Sequence, residues 1–435
     1  MKYIITLLFI VVSNVVIYSQ FTIEGNVQNE EGNPIEFAQV YLDNTSYDTE
    51  TNEEGFFKLN DIKTGSYVLK VYLLGFEPYE KQIFIDKNIS MKIVLKERTY
   101  NLKEIEINAL KVSEKMPFAY KNINKKQIEE RNYGEDIPYL LKNTPSVVTT
   151  SDAGAGIGYT GLRIRGTDPT RINVTVNGIP LNDAESQLVY WVDLPDISGS
   201  TDNIQIQRGV GTSTNGAGAF GATINLNTET VNPKPYLSLE GTYGSYNTSK
   251  ISAKAGTGIM NEKYSVDIRY TSIKSDGYID RASSALNSFF FSGTRLYENS
   301  SLKFNAIIGK EKTYQAWYGV PIQYIDTART FNLAGTDYFS KQPAYDNQVD
   351  DYSQNHLQLF YNKKFNESTL LNLAAHYTKG SGYYEQYKVD EDLYEYNLDT
   401  SSVKSSDIIR QKWLDNDFYG IVYSFKKQFE TSELI

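Results

Sequence analysis

Two histidines and no cysteine in 435 residues leave little material for metal or covalent chemistry. His356 and His376 have no second ligand at a recognisable spacing, so each reads as an ordinary strand residue. Hydrolytic enzymes of the common kinds need a cysteine nucleophile, a G-x-S-x-G elbow or an H-E-x-x-H zinc helix; the chain has none of them, and no enzyme is expected. Gly156, Gly158 and Gly161 spell G-x-G-x-x-G. That pattern holds a dinucleotide pyrophosphate only where its glycines open a helix, whereas the LRIRG that follows alternates like a strand. The glycines then serve close backbone packing, and no cofactor is implied. A net charge of −10 offers no basic face for phosphates, so nucleic acid is not a partner. What remains are two arginines in R-G dipeptides, Arg165 and Arg208, and loops rich in aromatic and acidic side chains.

Those residues need elements to hold them, and the periodicity is overwhelmingly two. From residue 236 onward strands alternate in character: YLSLEGTY sets Leu237, Leu239 and Tyr243 against Ser238, Glu240 and Thr242. KYSVDIRYT sets Tyr264, Val266, Ile268 and Tyr270 against Ser265, Asp267, Arg269 and Thr271. One face suits lipid and the other water, the signature of a transmembrane antiparallel barrel. About eight such strands are expected within 231–435. Short turns at 258–262, 297–301 and 363–368 alternate with long loops at 273–286, 310–354 and 379–408, which sets periplasmic against extracellular ends. Ahead of them, residues 116–230 begin with a helix-like stretch. In it Ile123, Ile128, Ile137, Leu140 and Leu141 could make one apolar face, with Pro145 as its stop. Residues 20–98 alternate with Gly, Asn and Pro turns, as a small β-sandwich does. Residues 1–19, with Lys2 before an apolar run from Ile4 to Val12, have the grammar of a secretory signal peptide.

The small domain's Gly25 to Val27, Pro34 to Val40 and Thr51 to Phe56 resemble the carboxypeptidase-regulatory-like domain found before many Bacteroidetes receptors. DIPYLL with PSVV, then RIRG with VNGIP, then RGVG with GAGAFGATIN resemble the plug of TonB-dependent outer-membrane receptors. The resemblance implies a mainly β chain: a sandwich, an α+β plug, and the first part of a 22-stranded barrel. An eight-stranded barrel has no room for a plug, so a truncated gene or a fragment is expected. In the linker at 99–115, Leu102, Lys103, Glu104, Ile105, Glu106, Ile107, Asn108 and Ala109 look like the TonB box, which pairs by strand addition with a TonB-type periplasmic energy transducer. The alternatives are a last strand of the small domain or an inert linker. By resemblance Arg165 and Arg208 make ion pairs with barrel carboxylates, Glu240 being one within reach. Ligand would meet Asp168, Arg171, Asp183, Glu185, Tyr190 and Trp191 on the plug, and Trp317 and Tyr318 on the barrel. The implied function is import of a scarce nutrient, with an iron siderophore foremost and cobalamin or an oligosaccharide behind; a non-transporting adhesion or signalling receptor is the other class. The implied site is the outer membrane, with lipid around the barrel and the small domain and box in the periplasm.

Overall fold

A computed structural model describes residues 20–73, 76–96, 119–210, 220–228, 231–336, 344–366, 368–398, 401–429 and 433–434. The chain divides into two compact units, residues 1–101 and 102–435. In the first, β1 (Gln20–Gln28), β2 (Gln39–Leu42), β3 (Asp48–Glu50), β4 (Phe56–Lys63), β5 (Gly65–Tyr72), β6 (Tyr79–Ile85) and β7 (Ile89–Val94) form two sheets. Their orders are β4-β1-β7 and β3-β2-β5-β6, with β1 and β7 parallel. The alternation read from the sequence puts Ile23, Val27, Val40, Leu42, Phe57, Leu59, Leu69 and Val71 between the sheets as one apolar core.

The second unit starts with the plug, built from β8 (Ala119–Asn124), α1 (Lys125–Glu129), α2 (Ile137–Leu140), β9 (Val147–Ser151), β10 (Thr160–Ile164), β11 (Ile172–Val176), β12 (Ile179–Pro180), β13 (Thr201–Arg208) and β14 (Ala222–Thr228). Its sheet runs β12-β11-β14-β13-β8, with β9 and β10 as a separate hairpin. The helix expected from Ile123 to Leu141 is instead a strand end and two short helices. Asn124 closes β8 and caps α1 in a reciprocal pair with Gln127. Gly134 then adopts φ +108°, and Pro138 starts α2 afresh. The apolar set was read correctly even so, because Ile123, Ile128, Ile137, Leu140 and Leu141 all enter one core.

The remaining strands are β15 (Tyr236–Tyr243), β16 (Ser249–Gly256), β17 (Tyr264–Ser275), β18 (Ser284–Leu296), β19 (Ser300–Tyr314), β20 (Val349–Asn366), β21 (Thr369–Asp392), β22 (Ser405–Gln428) and β23 (Glu433–Leu434). They pair in sequence order as one antiparallel sheet of nine strands, one more than expected because the pair of residues at 433–434 joins β22. The sheet has an inverted polarity. Leu237, Leu239, Ile251 and Ile268 are exposed on one face, while Ser265, Asp267, Arg269 and Thr271 are buried on the other, where Arg269 and Thr271 meet the plug. Phe290 and Ile307 of this wall belong to the plug's own apolar core. The expected loops prove shorter than read, since β19 to β22 run on through much of them. At 24 residues, β21 and β22 are about twice the length a bilayer crossing needs. Their polar outer halves carry the alternation past the apolar band, so hydropathy alone marks a loop where cross-strand pairing continues a ladder. Among the described residues no helix is long and apolar enough to cross a membrane.

Candidate functional site

Among the plug's contacts with the sheet, two are chemically opposite. The first centres on Asp196, which has φ +50° just before a single turn of 3₁₀ helix at Ile197–Ser200. Its side chain is completely buried. Oδ1 accepts from Lys250 Nζ at 2.8 Å and from Asn132 Nδ2 at 2.8 Å. Oδ2 accepts from Arg269 Nη1 at 2.6 Å and from the Thr271 hydroxyl at 2.7 Å. Arg269 Nε also donates to Ser200 Oγ at 2.7 Å. Lys250 and Arg269 lie on β16 and β17, so one plug carboxylate is gripped by two wall cations. Burial alone would raise the Asp196 pKa, but the Arg269 and Lys250 charges overcome it and hold the group at about 2.

This grip has the opposite polarity to the expected one. Arg165, with φ +54°, turns its guanidinium along the plug, where Nη1 lies 3.5 Å from the Arg208 carbonyl. Arg208 ends β13, and its Nε has no hydrogen-bond partner among the described residues. Among the described residues neither arginine reaches a wall carboxylate. Glu240 does face the plug side, but it stands 3.8 Å from Lys250 of the neighbouring strand. The tight turn at Arg165 and Gly166, with positive φ at both, is what aims the Arg165 side chain across the plug rather than outward. The residues that do make the seam carried a weak sequence signal: Arg269 was placed on the water-facing side of its strand, an expensive position for a cation without a partner.

The second place gathers acids and aromatic rings. The Tyr159 hydroxyl donates to Asp350 at the start of β20. Trp317 stacks edge-on against Tyr159 at 5.4 Å and against Tyr384 at 5.6 Å between ring centroids. Gln386 Nε2 donates to the Tyr318 hydroxyl at 3.0 Å. Below them Asp193 and Glu311 are buried, and Glu311 Oε2 has no hydrogen-bond partner among the described residues. Gly309 lets the plug pass this close, because a Cβ there would collide with the Asp193 carbonyl. Burial, and then the Asp350 charge, push the Asp193 pKa well above its ordinary value. Among the described residues no cation pairs with this trio, so it can accept hydrogen bonds from, or neutralise, a positively charged group.

The other candidates scatter. Asp168 caps the short turn before Arg171, accepting from Thr170 N at 3.0 Å. Arg171 lies over the Phe220 ring at 5.6 Å. Asp183 accepts from Ser186 N at 2.7 Å and from Glu185 N at 3.1 Å, which makes it a turn residue, with Glu185 exposed beside it. Trp191 is buried in the plug core, yet with Tyr190, Tyr159, Asp152 and Pro169 it lines a cavity of about 230 Å³. Residues 102–109, expected to bind the transducer, and the glycine-rich 211–219 lie outside the described residues.

Residues 113–223 match the family described as TonB-dependent Receptor Plug Domain. Residues 23–107 match the CarboxypepD_reg-like domain, a span that takes in six of the eight residues of the expected box. No curated protein matches by sequence. Among solved structures, the ferric-catecholate import receptor Fiu of E. coli in its open form aligns with TM-score 0.52 at 14% identity, covering 73% of this chain and 47% of that one. BauA, the ferric preacinetobactin receptor of Acinetobacter baumannii, aligns with TM-score 0.53 at 19% identity, over 73% and 45%. The alcaligin outer-membrane receptor FauA of Bordetella pertussis aligns with TM-score 0.51 at 14% identity, again over 73% and 45%. The chain thus spans less than half the length of the receptors it matches. The chain therefore carries a TonB-dependent receptor plug domain preceded in sequence by a CarboxypepD_reg-like domain, and it shares the fold of these receptors, a plug seated on one face of an antiparallel sheet.

Proposed function

We propose that the protein is an outer-membrane importer, in which the nine strands are barrel wall, the plug blocks the lumen, and a scarce nutrient enters the periplasm when the plug yields. The observation that carries this reading is the buried grip of Arg269 and Lys250 on Asp196. It seats a separate domain on the polar face of a sheet whose other face is apolar. The short connections at 257–263, 297–299 and 367–368 are then periplasmic, and the longer ones at 276–283, 315–348 and 393–404 extracellular. On that orientation Trp317, Tyr159 and Asp350 lie at the outward mouth. An iron siderophore complex is the favoured cargo, supported by what the aligned receptors Fiu, BauA and FauA are named for.

Energy comes from the inner membrane through a TonB-type transducer, which pairs with residues 102–109 as an added strand. Pairing of this kind depends on backbone N–H groups, so a proline damages it more than a side-chain change does. Radioiron uptake by cells producing the protein, with and without Ile105→Pro, tests the reading. Uptake should need an intact 102–109 while ligand binding does not. Equal uptake by the two forms removes the transducer assignment, and fractionation away from the outer membrane removes the importer.

A further inference from the structure

The chain's two histidines are unrelated by sequence spacing but are neighbours in the fold. In the β20–β21 ladder His356 stands opposite Thr378 and His376 opposite Gln358. That diagonal relation puts their Cα atoms roughly 7 to 8 Å apart, with the side chains within reach of each other. Both point to the plug side, in phase with Phe360 and Ala374, which pack on Ile179 of the plug. Gln358, between them in the ladder, accepts from Asn177 at the tip of the β11–β12 turn at 3.0 Å. Both rings are more than nine-tenths buried, His356 being 5% exposed and His376 9%.

Each ring has a nitrogen lone pair to offer. His356 Nε2 lies 3.0 Å from Gln354 Oε1, an atom that only accepts, so Nε2 carries the proton. Its Nδ1, 2.9 Å from Thr378 Oγ1, is then the acceptor, and rotation of that hydroxyl uncovers it. His376 Nδ1 is buried with no hydrogen-bond partner among the described residues. Its Nε2 edge closes over Gly420, 2.8 Å from where a Cβ would stand, and its ring packs against Phe418 at 5.0 Å. In His356 the N–H is held by an amide oxygen with the accepting nitrogen on the opposite edge, the way in which metal-binding imidazoles are oriented.

We propose that His356 and His376 form a two-imidazole site for a borderline divalent cation, copper, nickel or zinc, in the barrel wall beside the seat of the plug. Imidazole without carboxylate favours these ions over magnesium or calcium, and among the described residues no group of three or more His, Cys, Asp or Glu side chains is arranged to hold a metal ion. With two protein donors, water or a passing ligand completes the coordination, so the ion exchanges readily instead of cementing the fold. The site stands whatever the cargo is, because binding at the wall is measured without transport.

Cu²⁺ titrated into the untagged, detergent-folded chain tests it, read by electron spin echo modulation from the remote nitrogens of coordinated imidazole. With only two histidines and no cysteine, no other side chain can give that signal twice. The expected result is coordination by two imidazoles. His356→Gln and His376→Gln should each leave one and weaken binding, while Gln354→Leu should keep both and weaken binding about tenfold. A wild-type spectrum with one imidazole or none overturns the proposal, as does unchanged binding in both folded histidine variants. The wild-type spectrum decides alone if the variants do not fold.

Discussion

Two of the places where the plug touches the wall are built on opposite electrostatic terms. At Asp196 a single carboxylate faces two buried cations, Lys250 and Arg269, and two neutral donors, the half-buried Asn132 and the buried Thr271. At Asp193, Glu311 and Asp350 three carboxylates meet under aromatic rings with one phenol donor between them and no cation among the described residues. A buried charge is tolerable only when paired, so the first place is complete as it stands and the second is completed by something else, a proton or a cationic ligand. The contrast assigns holding to one seam and receiving to the other.

Breaking the holding seam should have the largest effect. Asp196→Ala strands Lys250 and Arg269 in the dry interface, a loss of about 3 to 5 kcal/mol. It should appear as a lower melting temperature and faster proteolysis of the plug in detergent. Adding Arg269→Gln and Lys250→Gln to Asp196→Asn should recover part of the loss, since hydrogen bonding survives and no charge is left bare. If Asp196→Ala melts like the wild type, the plug is held elsewhere.

A second test is a pH slope inside the plug. Burial pushes the Asp136 pKa up to about 8, with Thr160 Oγ1 2.8 Å away lowering it only in part. The folded state therefore keeps a proton that the unfolded state loses near pH 4. Stability should fall as pH rises from about 4 towards 8, by up to about 1.4 kcal/mol per unit. Asp136→Asn, which has nothing to ionise, should lessen that slope by one proton's share and be relatively more stable at pH 8, with the raised Asp193 carboxyl keeping its own contribution. Asp196 has the opposite sign: its contribution is whole above about pH 4 and is lost as pH falls towards 2. A wild-type slope left undiminished by Asp136→Asn shows that Asp136 does not keep the proton.

The receiving seam should respond less. Trp317→Ala removes two ring contacts, each worth about 0.5 to 1.5 kcal/mol, without stranding a charge. Its melting point should drop slightly while the protein's response to cationic ligands changes more. Asp350→Asn should lessen the repulsion among the acids and stabilise the empty protein. If it destabilises the protein as much as Asp196→Ala does, the acids are a structural network and the contrast between the seams fails.

What the sequence disclosed follows from which interactions are local. Alternation is local, so Leu237, Ile268 and their inward neighbours were assigned to the right faces, and the G-x-G-x-x-G was rightly denied a helix, since Gly161 lies in β10. The apolar residues around Ile128 and Leu140 were right as a set and wrong as a single helix, because burial depends on residue type whereas continuity depends on caps and on Gly134. Partner choice is not local. Asp196 lies 54 residues from Lys250 and 73 from Arg269, and nothing at short range marks it among the chain's acids. Likewise His356 and His376 become neighbours only through the register of a long hairpin.

The smallest expected effect is the most discriminating. Arg165 and Arg208 lie in the motifs that first suggested where a plug is held, yet Arg165 is exposed and reaches only a backbone carbonyl of the plug itself. An exposed charged contact of this kind is worth about 0 to 1 kcal/mol, against about 3 to 5 for a stranded buried partner. Arg165→Ala and Arg208→Ala should therefore leave the melting temperature and plug proteolysis close to wild type, well short of Asp196→Ala under the same conditions. Salt sharpens the distinction: moderate ionic strength screens exposed charges and should erase any small arginine effect, while the buried seam should hardly respond. Either arginine variant loosening the plug as much as Asp196→Ala, at low and high salt alike, would mean that the arginines find buried partners and that the holding charge is not confined to Asp196.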